Sequence, residues 1–357
     1  MLLEPREKIS LLLMAAAPIG AVFAAFLFSS FLIMWTGESV FYAYAMLFKG
    51  AFGSIFAITE TLTKATPLIL TGLAAAVAFR AKFWNIGGEG QLYCGALAAT
   101  WIGTGMISLP SALMIPLLMI VGALAGGLAL IIPVFLKARL KVDEVVTTLL
   151  LNFIILLFVN YFLEGPLKDP MSSGWPQAAP IIDAGVLPVI IAKSRLHLGF
   201  IVAVIAAISV WALMRFSVWG FEIRAVGQNQ NAARFAGISI NMTVLRVALI
   251  SGGLAGLAGI TEVAGTKGYL TLDISTGFGY TGIAVAMLAN LNPLGVILSA
   301  VFLASVYVGA DSMSRVIEIP NYIADVIVAV SVLAVLISLM LVQYKLKFST
   351  KRKTKDD

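Results

Sequence analysis

The sequence contains few of the residues that enzymes commonly use for chemistry. Its 357 residues include one cysteine, Cys94, and one histidine, His197, which excludes an internal disulfide and a histidine-based metal cluster. Charged residues form only 12% of the chain, about half of their share in soluble domains. The nucleotide-binding pattern GxxxxGK[ST] does not occur, so the chain has no phosphate-binding loop of that type. A metalloenzyme and a nucleotide hydrolase with such a loop are therefore disfavoured.

Apolar residues are abundant in the chain. Hydrophobic residues make up 60% of it and the mean hydropathy is +1.00, values typical of a protein embedded in a bilayer. Residues 11–35 carry no charge over 25 positions, more than the roughly 20 residues that span a hydrocarbon core. This run is also longer than the apolar core of a signal peptide, so we expect an uncleaved first helix. The sequence predicts an all-α integral membrane protein.

The number and orientation of the spans follow from apolar runs and from basic residues at their ends. The runs predict about ten transmembrane helices, near residues 11–35, 62–79, 87–107, 111–136, 145–163, 197–216, 244–264, 278–291, 294–311 and 321–343. An even count returns both termini to one side. The side is cytoplasmic under the positive-inside rule, because it carries Arg6, Lys8, Lys137, Arg139, Lys141, Arg215, Arg224, Arg234 and the lysines from Lys345 to Lys355. We expect residues 36–61 and the proline-rich stretch 164–196 on the opposite side.

The chain reads as one transmembrane domain over residues 1–357, with a cytoplasmic segment at 217–243 and a basic cytoplasmic tail at 344–357. One span in each half is interrupted by glycine-rich polar sequence. The first interruption is "RAKFWNIGGEGQ" and the second is "GTKGYLTLDISTGFG". Short, glycine-interrupted segments in corresponding positions of two halves are typical of a solute path near the bilayer midplane, where irregular backbone faces protein or water.

The stretch "FWNIGGEGQ" at 83–91 allows two interpretations. It is either a helix start, in which Asn85 caps and Glu89 meets the backbone N–H groups and the positive end of the helix dipole, or a site of direct solute contact. An ionised Glu at membrane depth costs at least about 2.5 kcal/mol, so Glu89 needs a partner or water. The residues that we assign as candidates for the substrate path are Trp84, Asn85, Gly87, Glu89, Gln91, Asn152 and Glu262.

Two features lie at and after the cytoplasmic segment. Residues 225–237 predict a short helix between turns at Gly227 and Gly237; it is too polar for lipid, so it is either a surface for a partner protein or an ordinary solvated loop. The following "SGGLAGLAG" spaces small residues at helical intervals, which predicts close packing against another membrane helix.

Two stretches resemble one family. The first contains Pro67 to Leu73, Ala78 to Arg80 and the aromatic-Asn-Ile-Gly-x-Glu-Gly-Gln pattern from Trp84 to Gln91; the second is "IRAVGQNQNAARFAGI" followed by "SGGLAGLAG". Together they are similar to permease subunits of bacterial ATP-binding cassette (ABC) importers for nucleosides of the basic membrane protein type, within the branched-chain amino acid and ribose permease superfamily. Trp84 replaces the more usual Phe, and Lys82 stands where a small residue is commoner.

The resemblance implies a fold like that of type II ABC importers and a translocation path for nucleosides, purine or pyrimidine, or for a related simple sugar. It implies a protein of the cell membrane that is not itself an enzyme and binds no cofactor, with ATP and Mg on a partner ATPase subunit. A second permease subunit (a paralogue or a second copy), an extracytoplasmic substrate-binding lipoprotein and membrane lipid are the other implied partners, and no nucleic acid is implied. The residues that we assign to ATPase coupling are Arg224, Gly227, Asn229, Ala232, Ala233 and Gly237.

Two other function classes compete with this interpretation. A secondary transporter of a small polar solute, coupled to an ion gradient, also uses broken helices and midplane carboxylates, and Glu89 is the best candidate for its ion site. An intramembrane metalloprotease needs HExxH, which a single histidine excludes. An intramembrane serine protease needs a Ser/His pair within the membrane, which His197 at a span end supports poorly.

Overall fold

The computed structural model describes residues 2–5, 11–317 and 322–347. Apart from a short antiparallel pairing of β1 (Leu2–Pro5) with β2 (Tyr344–Lys347), its regular structure is helical. Arg6, Lys8 and the basic tail after residue 347, which the sequence places on the cytoplasmic side, lie outside the described residues. The chain divides into two compact units, Met1–Gly50 with Gly309–Asp357 (unit 1) and Ala51–Val308 (unit 2).

The helices follow one another with short connections, except for the segments 165–198 and 268–277. In chain order they are α1 (Leu11–Trp35), α2 (Val40–Phe52), α3 (Ile55–Arg80), α4 (Gly88–Gly103), α5 (Ser111–Ala129), α6 (Ile131–Leu140), α7 (Glu144–Glu164), α8 (Gly199–Phe216), α9 (Val218–Gln228), α10 (Gln230–Phe235), α11 (Ile240–Ile260), α12 (Phe278–Leu288), α13 (Pro293–Ile317) and α14 (Tyr322–Gln343). A 3-10 turn covers Asp183–Gly185, and a π-helical turn, Thr261–Lys267, extends α11.

Six stretches within the described residues are long and apolar enough to cross a membrane. They are α3, α5 with α6, α7, α8, α11 with its π turn, and α13; α1 and α2, bent by 117° at their junction, make a seventh if the pair is one span. The predicted count of about ten spans is therefore not confirmed. The predicted spans at 87–107 and 278–291 contain helices of only 16 and 11 residues, α4 and α12, about 24 and 16 Å long at 1.5 Å per residue.

The stretch 36–61, predicted as a connection, is largely helical. It contains α2 and the beginning of α3, which starts seven residues before the predicted span at 62. The N-cap Ser54 accepts a hydrogen bond from Ala57 N at 3.0 Å, and the Thr63 hydroxyl bonds to the Thr59 carbonyl at 2.8 Å. These threonine-rich turns look polar in sequence, but the hydroxyls of Thr59 and Thr63 bond to carbonyls of their own helix and that of Thr61 bonds to the Ala51 carbonyl of α2.

α3 forms the centre of unit 2. All of its residues from 65 to 79 are buried, and α4, α8, α11 and α12 pack around it. α11 packs against α5 and α4 through the predicted small residues: a Cβ built at Gly256 would lie 2.3 Å from the Gly122 carbonyl oxygen, and one built at Gly259 would lie 2.0 Å from the Leu92 carbonyl oxygen. The prediction of close packing along "SGGLAGLAG" is confirmed.

Unit 2 has two faces at the ends of α3. At the basic face, α3 ends at Arg80, beside α9 and the turn between α6 and α7; there the Glu144 carboxylate pairs with Lys137 and accepts a hydrogen bond from Trp84 N at 3.4 Å. At the opposite end, the loop face, the segments 165–198 and 268–277 cover the start of α3. The basic face and the loop face mark the two ends of unit 2, between which the site lies.

Unit 1 consists of α1, α2, α14, the end of α13 and the strand pair. The Tyr44 hydroxyl of α2 donates a hydrogen bond to the Phe26 carbonyl of α1, and their rings meet edge-on with centroids 5.2 Å apart. A Cβ built at Gly309 would lie 2.4 Å from the Leu47 carbonyl oxygen, so α13 also approaches α2 through a glycine.

Candidate functional site

The two short helices, α4 and α12, begin in the middle of unit 2 and not at its faces. The Thr71 hydroxyl of α3 donates to the Phe278 carbonyl at the start of α12 at 2.9 Å. Thr71 lies 16 positions after Ile55 in the 26-residue α3, well inside the bundle. α12 then runs alongside α3 toward the basic face, since Gly282 contacts Thr71 and Val285 contacts the next residue of α3.

The start of α4 is held at a similar depth. Asn85, in the loop before α4, donates to the Ser251 hydroxyl of α11 at 3.0 Å, and Ser251 donates to the Ala74 carbonyl of α3 at 2.7 Å. From there α4 runs toward the loop face, where Gly103 accepts a hydrogen bond from Ile182 N at 2.9 Å. The N-termini of α4 and α12 therefore converge, and their C-termini point to opposite faces.

The two helix starts touch each other at Glu89. Its Oε2 accepts a hydrogen bond from Gly279 N at 2.7 Å, and the side chain is only 4% exposed. A Cβ built at Gly279 would lie 2.1 Å from Glu89 N, so only glycine allows this approach. The carboxylate thus satisfies an N–H of α12 that has no partner within its helix, and it faces the positive ends of two helix dipoles. We call residues 85–91 and 275–279 the helix-start seam.

Asn85 and Gln91 form a closed amide pair within the seam. Asn85 Nδ2 donates to Gln91 Oε1 at 3.0 Å, and Gln91 Nε2 donates to Asn85 Oδ1 at 2.9 Å. Asn85 Oδ1 also accepts from Gly87 N at 2.9 Å. With the bond to Ser251, both donors and both acceptor positions of the Asn85 amide are used, so in this structure it serves the protein itself.

Asn152 joins α7 to the seam. Its Oδ1 accepts from Gly90 N at 2.8 Å, and its Nδ2 donates to the Ile86 carbonyl and the Tyr280 hydroxyl, both at 3.1 Å. The side chain is fully buried. Five of the predicted path residues therefore come together here: Asn85, Gly87, Glu89, Gln91 and Asn152.

The capping scheme that the sequence predicts differs in detail from the structure. The residue at the N-cap of α4 is Gly87, which makes no side-chain cap bond, and Asn85 bonds to Gly87 N from inside the preceding turn. Glu89 bonds across to α12 and not within its own helix. Glu89 is therefore a link between the two halves of the chain, 190 positions apart.

Trp84 and Glu262 lie away from the seam. The Trp84 ring is 41% exposed at the basic face and packs on Phe79, with ring centroids 4.8 Å apart. Glu262 is buried in the π turn on the loop-face side, where the positive charges of Lys64 and Lys267 act on it. Lys64 also lies 4.8 Å from the centroid of the Phe278 ring. A layer of charge thus lies between the seam and the loop face.

His197 packs against the same π turn. Its fully buried ring occupies space between two glycines, since a Cβ built at Gly199 or at Gly265 would lie 2.7 or 2.5 Å from ring atoms. Nδ1 accepts a hydrogen bond from Gly199 N at 3.2 Å, and Nε2 lies 3.4 Å from the Thr266 hydroxyl. Burial lowers the pKa of His197 from its usual 6.5 to about 4, which fits a neutral ring.

The predicted coupling segment forms two helices and not one. α9 extends to Gln228, and Asn229 then caps α10, its Oδ1 accepting from Asn231 N at 2.9 Å and Ala232 N at 3.1 Å. α10 ends at Phe235, and the chain turns at Gly237, whose φ of 82° lies in the left-handed region that favours glycine. The segment is a defined structure on the basic face and not an irregular loop.

The coupling candidates divide by exposure. Ala232 is exposed and Arg224 half-buried, whereas Ala233 is only 3% exposed and faces the protein. Gly227 is not a turn residue: it lies within α9, where a Cβ would be 1.9 Å from the Arg80 carbonyl oxygen. α9 therefore packs directly on the end of α3, next to the loop that leads into α4.

Several residues that build these surfaces were not predicted from the sequence. Ser251, Thr148 and Ser275 bond to N–H groups or side chains of the seam, and Tyr280 bonds to Asn152. Phe235, 96% exposed at the end of α10, was also missed. Hydroxyl residues in apolar helices commonly bond to their own helix, so nothing in the sequence distinguishes Ser251 from its neighbours. Phe235 could have been identified from the sequence, because a large apolar residue on a short polar helix is unusual.

The chain matches a family model over residues 57–337, described as the permease component of the branched-chain amino acid transport system. The matched region covers most of unit 2 and both interrupted helices. The chain belongs to this family of transport permeases.

Curated relatives support the family assignment along nearly the whole chain. A guanosine ABC transporter permease, NupP of Bacillus subtilis, is 40% identical over 89% of this chain and 92% of its own length. A glucose ABC transporter permease, TsgB13 of Haloferax volcanii, is 33% identical over 99% and 95%. A nucleoside ABC transporter permease, NupB of Lactococcus lactis, is 32% identical over 87% and 88%.

This permease is a multi-pass membrane protein and a transport subunit, not an enzyme. The predicted family is confirmed, and neither the family nor these relatives support a secondary transporter or an intramembrane protease.

The first prediction concerns the bond between Glu89 and Gly279. Glu89→Ala leaves a buried N–H without an acceptor, which costs about 1–3 kcal/mol, whereas Glu89→Gln keeps an acceptor at the same place. We expect Glu89→Ala to lower the thermal midpoint of the detergent-solubilised protein clearly and to reduce transport at least tenfold, with Glu89→Gln much milder. Glu164→Ala, which removes an exposed carboxylate at the end of α7, is the matched control. Equal losses of thermal stability and of transport in both Glu89 variants would contradict this prediction and would show that the negative charge of Glu89 is required.

The second prediction concerns pH. The pKa of His197 is about 4 in the folded protein and 6.5 ordinarily, so the unfolded chain binds more protons between these values. The contribution of neutral His197 to the free energy of unfolding is fully present above pH 6.5 and is lost as the pH falls toward 4. At pH 5 the loss amounts to about 2 kcal/mol. His197→Gln should remove this part of the acid sensitivity in thermal melts between pH 7.5 and 4.5. Identical pH profiles for both proteins would contradict the assignment.

Proposed function

We propose that this permease is the transmembrane subunit of an ATP-driven importer and that its solute is a nucleoside. The observation that carries the proposal is the 40% identity to the guanosine permease of Bacillus subtilis over 89% of the chain. A second relative is named for nucleosides. The glucose permease among the relatives makes a simple sugar the competing solute.

The helix-start seam is the proposed constriction of the solute path. Half-length helices whose N-termini meet near the midplane are the usual way in which transporters place polar groups in a bilayer. Glu89 closes the contact between α4 and α12, while Glu262 and Lys64 lie on the loop-face side of it.

The basic face is proposed to be cytoplasmic. Arg80, Lys137 and Arg234 lie at helix ends there, as the positive-inside rule requires. Each half-length helix then completes a crossing together with its irregular segment, 81–87 before α4 and 268–277 before α12. With the seven longer spans and α14 this gives ten crossings, and both termini lie in the cytoplasm.

The segment α9–α10 is the proposed docking element for an ATPase subunit that carries ATP and Mg. The exposed side of α10 offers Ala232 and Phe235, and its rigid caps give a partner a fixed shape. Movement of α9 acts on the end of α3 and the adjoining loop through the contact of Gly227 with Arg80. That loop leads into α4 and Glu89, so the docking element is linked to the seam by packed backbone.

Solute identity is tested by uptake. Proteoliposomes that contain the permease, its ATPase and its external binding protein should accumulate radiolabelled guanosine in an ATP-dependent manner. A 100-fold excess of unlabelled adenosine or cytidine should compete, and the same excess of glucose should not. ATP-driven uptake of glucose without uptake of any nucleoside would contradict the nucleoside assignment while leaving the importer intact.

Docking of the ATPase is tested by Ala232→Asp. Position 232 is in the first turn of α10, where an Asp is favourable for the helix, so any loss of function reflects the surface and not unfolding. We expect at least a tenfold loss of uptake and of ATPase co-purification, with normal membrane insertion. Phe235→Ala should act in the same direction. Ala138→Asp, an exposed site on α6 at the same face, is the control, and normal transport by Ala232→Asp would refute the docking assignment.

A further inference from the structure

The carboxylate of Glu262 lies inside unit 2 without a direct partner. Glu262 belongs to the π turn that extends α11, and it is only 5% exposed. Among the described residues, none forms a hydrogen bond or an ion pair with its carboxylate. A carboxylate has about four acceptor positions, and an ionisable side chain at membrane depth is costly unless it has a function. π turns also occur frequently at functional sites.

The two cations whose charges act on Glu262 have bonding partners elsewhere. Lys267 pairs with Asp273 at 3.2 Å, and Lys64 donates to the Thr276 hydroxyl at 3.4 Å. Both cations therefore balance the charge of Glu262 from beyond hydrogen-bonding distance. The oxygens of Glu262 are left available to a donor that comes from outside the chain.

The position of Glu262 on α11 directs it toward α3. It lies 11 positions, or about three helical turns, after Ser251, so both project from the same side of α11. Ser251 bonds to the Ala74 carbonyl of α3. Because α3 and α11 run in opposite directions, Lys64, ten positions before Ala74, reaches the level of Glu262. Glu262 is thus displaced by about 16 Å from Ser251 toward the loop face, at 1.5 Å per residue.

At this level, Glu262 lies between two barriers. On the loop-face side, the segment 165–198 covers the π turn, where Leu187 N donates to the Ala264 carbonyl at 2.8 Å. On the other side, the bond between Glu89 and Gly279 closes the helix-start seam. A solute that has passed the loops and has not yet passed the seam is therefore next to the Glu262 carboxylate.

An available carboxylate selects a solute that offers hydrogen-bond donors. A nucleoside and a simple sugar, the two solutes considered above, both have vicinal hydroxyl groups. Two adjacent hydroxyls can each donate to one oxygen of a carboxylate, and such charge-assisted bidentate bonds are both strong and geometrically specific. A buried polar group that is placed to bond a solute hydroxyl discriminates strongly against an analogue without that hydroxyl.

We propose that Glu262 is a specificity-determining residue of the solute path, whose carboxylate accepts hydrogen bonds from the vicinal 2′- and 3′-hydroxyls of a nucleoside held between the loops and the helix-start seam. The inference rests on the proposed function, since it requires an importer of a ribosyl solute. It assigns recognition at this position to the sugar and not to the base.

Uptake kinetics with nucleoside analogues test the contact. Proteoliposomes that contain the permease, its ATPase and its external binding protein are supplied with radiolabelled guanosine or 2′-deoxyguanosine, and kcat/KM is measured for each. The binding protein is the same for every permease variant, so its own preference cancels when the ratio of the two values is compared between variants. In Glu262→Met, which removes the acceptors and keeps an unbranched side chain, the ratio of guanosine to 2′-deoxyguanosine should fall about fivefold or more.

Two further variants accompany this measurement. Glu262→Gln retains one acceptor oxygen, so its ratio should lie between those of the wild type and Glu262→Met. Glu60→Met is the matched control, because it removes a carboxylate of α3 at the loop face that lies 3.9 Å from Arg195, and it should leave the ratio unchanged. A wild-type ratio in both Glu262 variants would overturn the inference and leave the importer intact.

Two other analogues distinguish the sugar from the base. 5′-Deoxyguanosine keeps the vicinal hydroxyls, so its kcat/KM relative to guanosine should be the same in the wild type and in Glu262→Met. Inosine lacks the 2-amino group of guanine, and a change in the guanosine-to-inosine ratio in Glu262→Met would overturn the inference, because the carboxylate would then contact the base. Absence of ATP-driven guanosine uptake by the wild-type complex would overturn the proposed function, and this inference with it.

Discussion

A helix that begins inside an apolar bundle must find acceptors for its first N–H groups, and this constraint governs the centre of the permease. Water, which bonds such N–H groups at a protein surface, does not reach the interior of a bundle in a bilayer. The chain supplies acceptors from side chains: Glu89 to Gly279 N, Asn152 to Gly90 N and Ser275 to the first N–H groups of α12. Because Glu89 belongs to one short helix and serves the other, the two cannot separate without leaving buried N–H groups unsatisfied.

Close backbone approach is the second condition for this arrangement. Glycines remove the side chains that would hold the helices apart, at Gly279 against Glu89, at Gly256 against Gly122 and at Gly227 against Arg80. In lipid, helix association relies on van der Waals fit and hydrogen bonds, so these contacts stabilise unit 2 directly. They also make it stiff, since a shift of one backbone requires its neighbour to shift with it.

The two short helices are attached at opposite faces. α4 follows a loop that lies against the end of α3, α9 and the Lys137–Glu144 pair at the basic face. α12 follows residues 268–277, which are bonded to Ala178 and Ile181 at the loop face. The two short helices are therefore connected to different faces, and these connections meet at the contact between Glu89 and Gly279.

The sequence by itself determined the membrane location, the two interruptions near 81–91 and 266–279, the close packing around Gly256 and the polar character of α10. These depend on hydropathy, glycine content and spacing, which are local properties. Only the tertiary structure decided that Asn85 pairs with Gln91, that Glu89 reaches Gly279 across 190 positions, and that α4 is too short to span alone. A buried polar group takes its partner from whichever helix packs beside it, and that neighbour is set by the fold of the whole bundle.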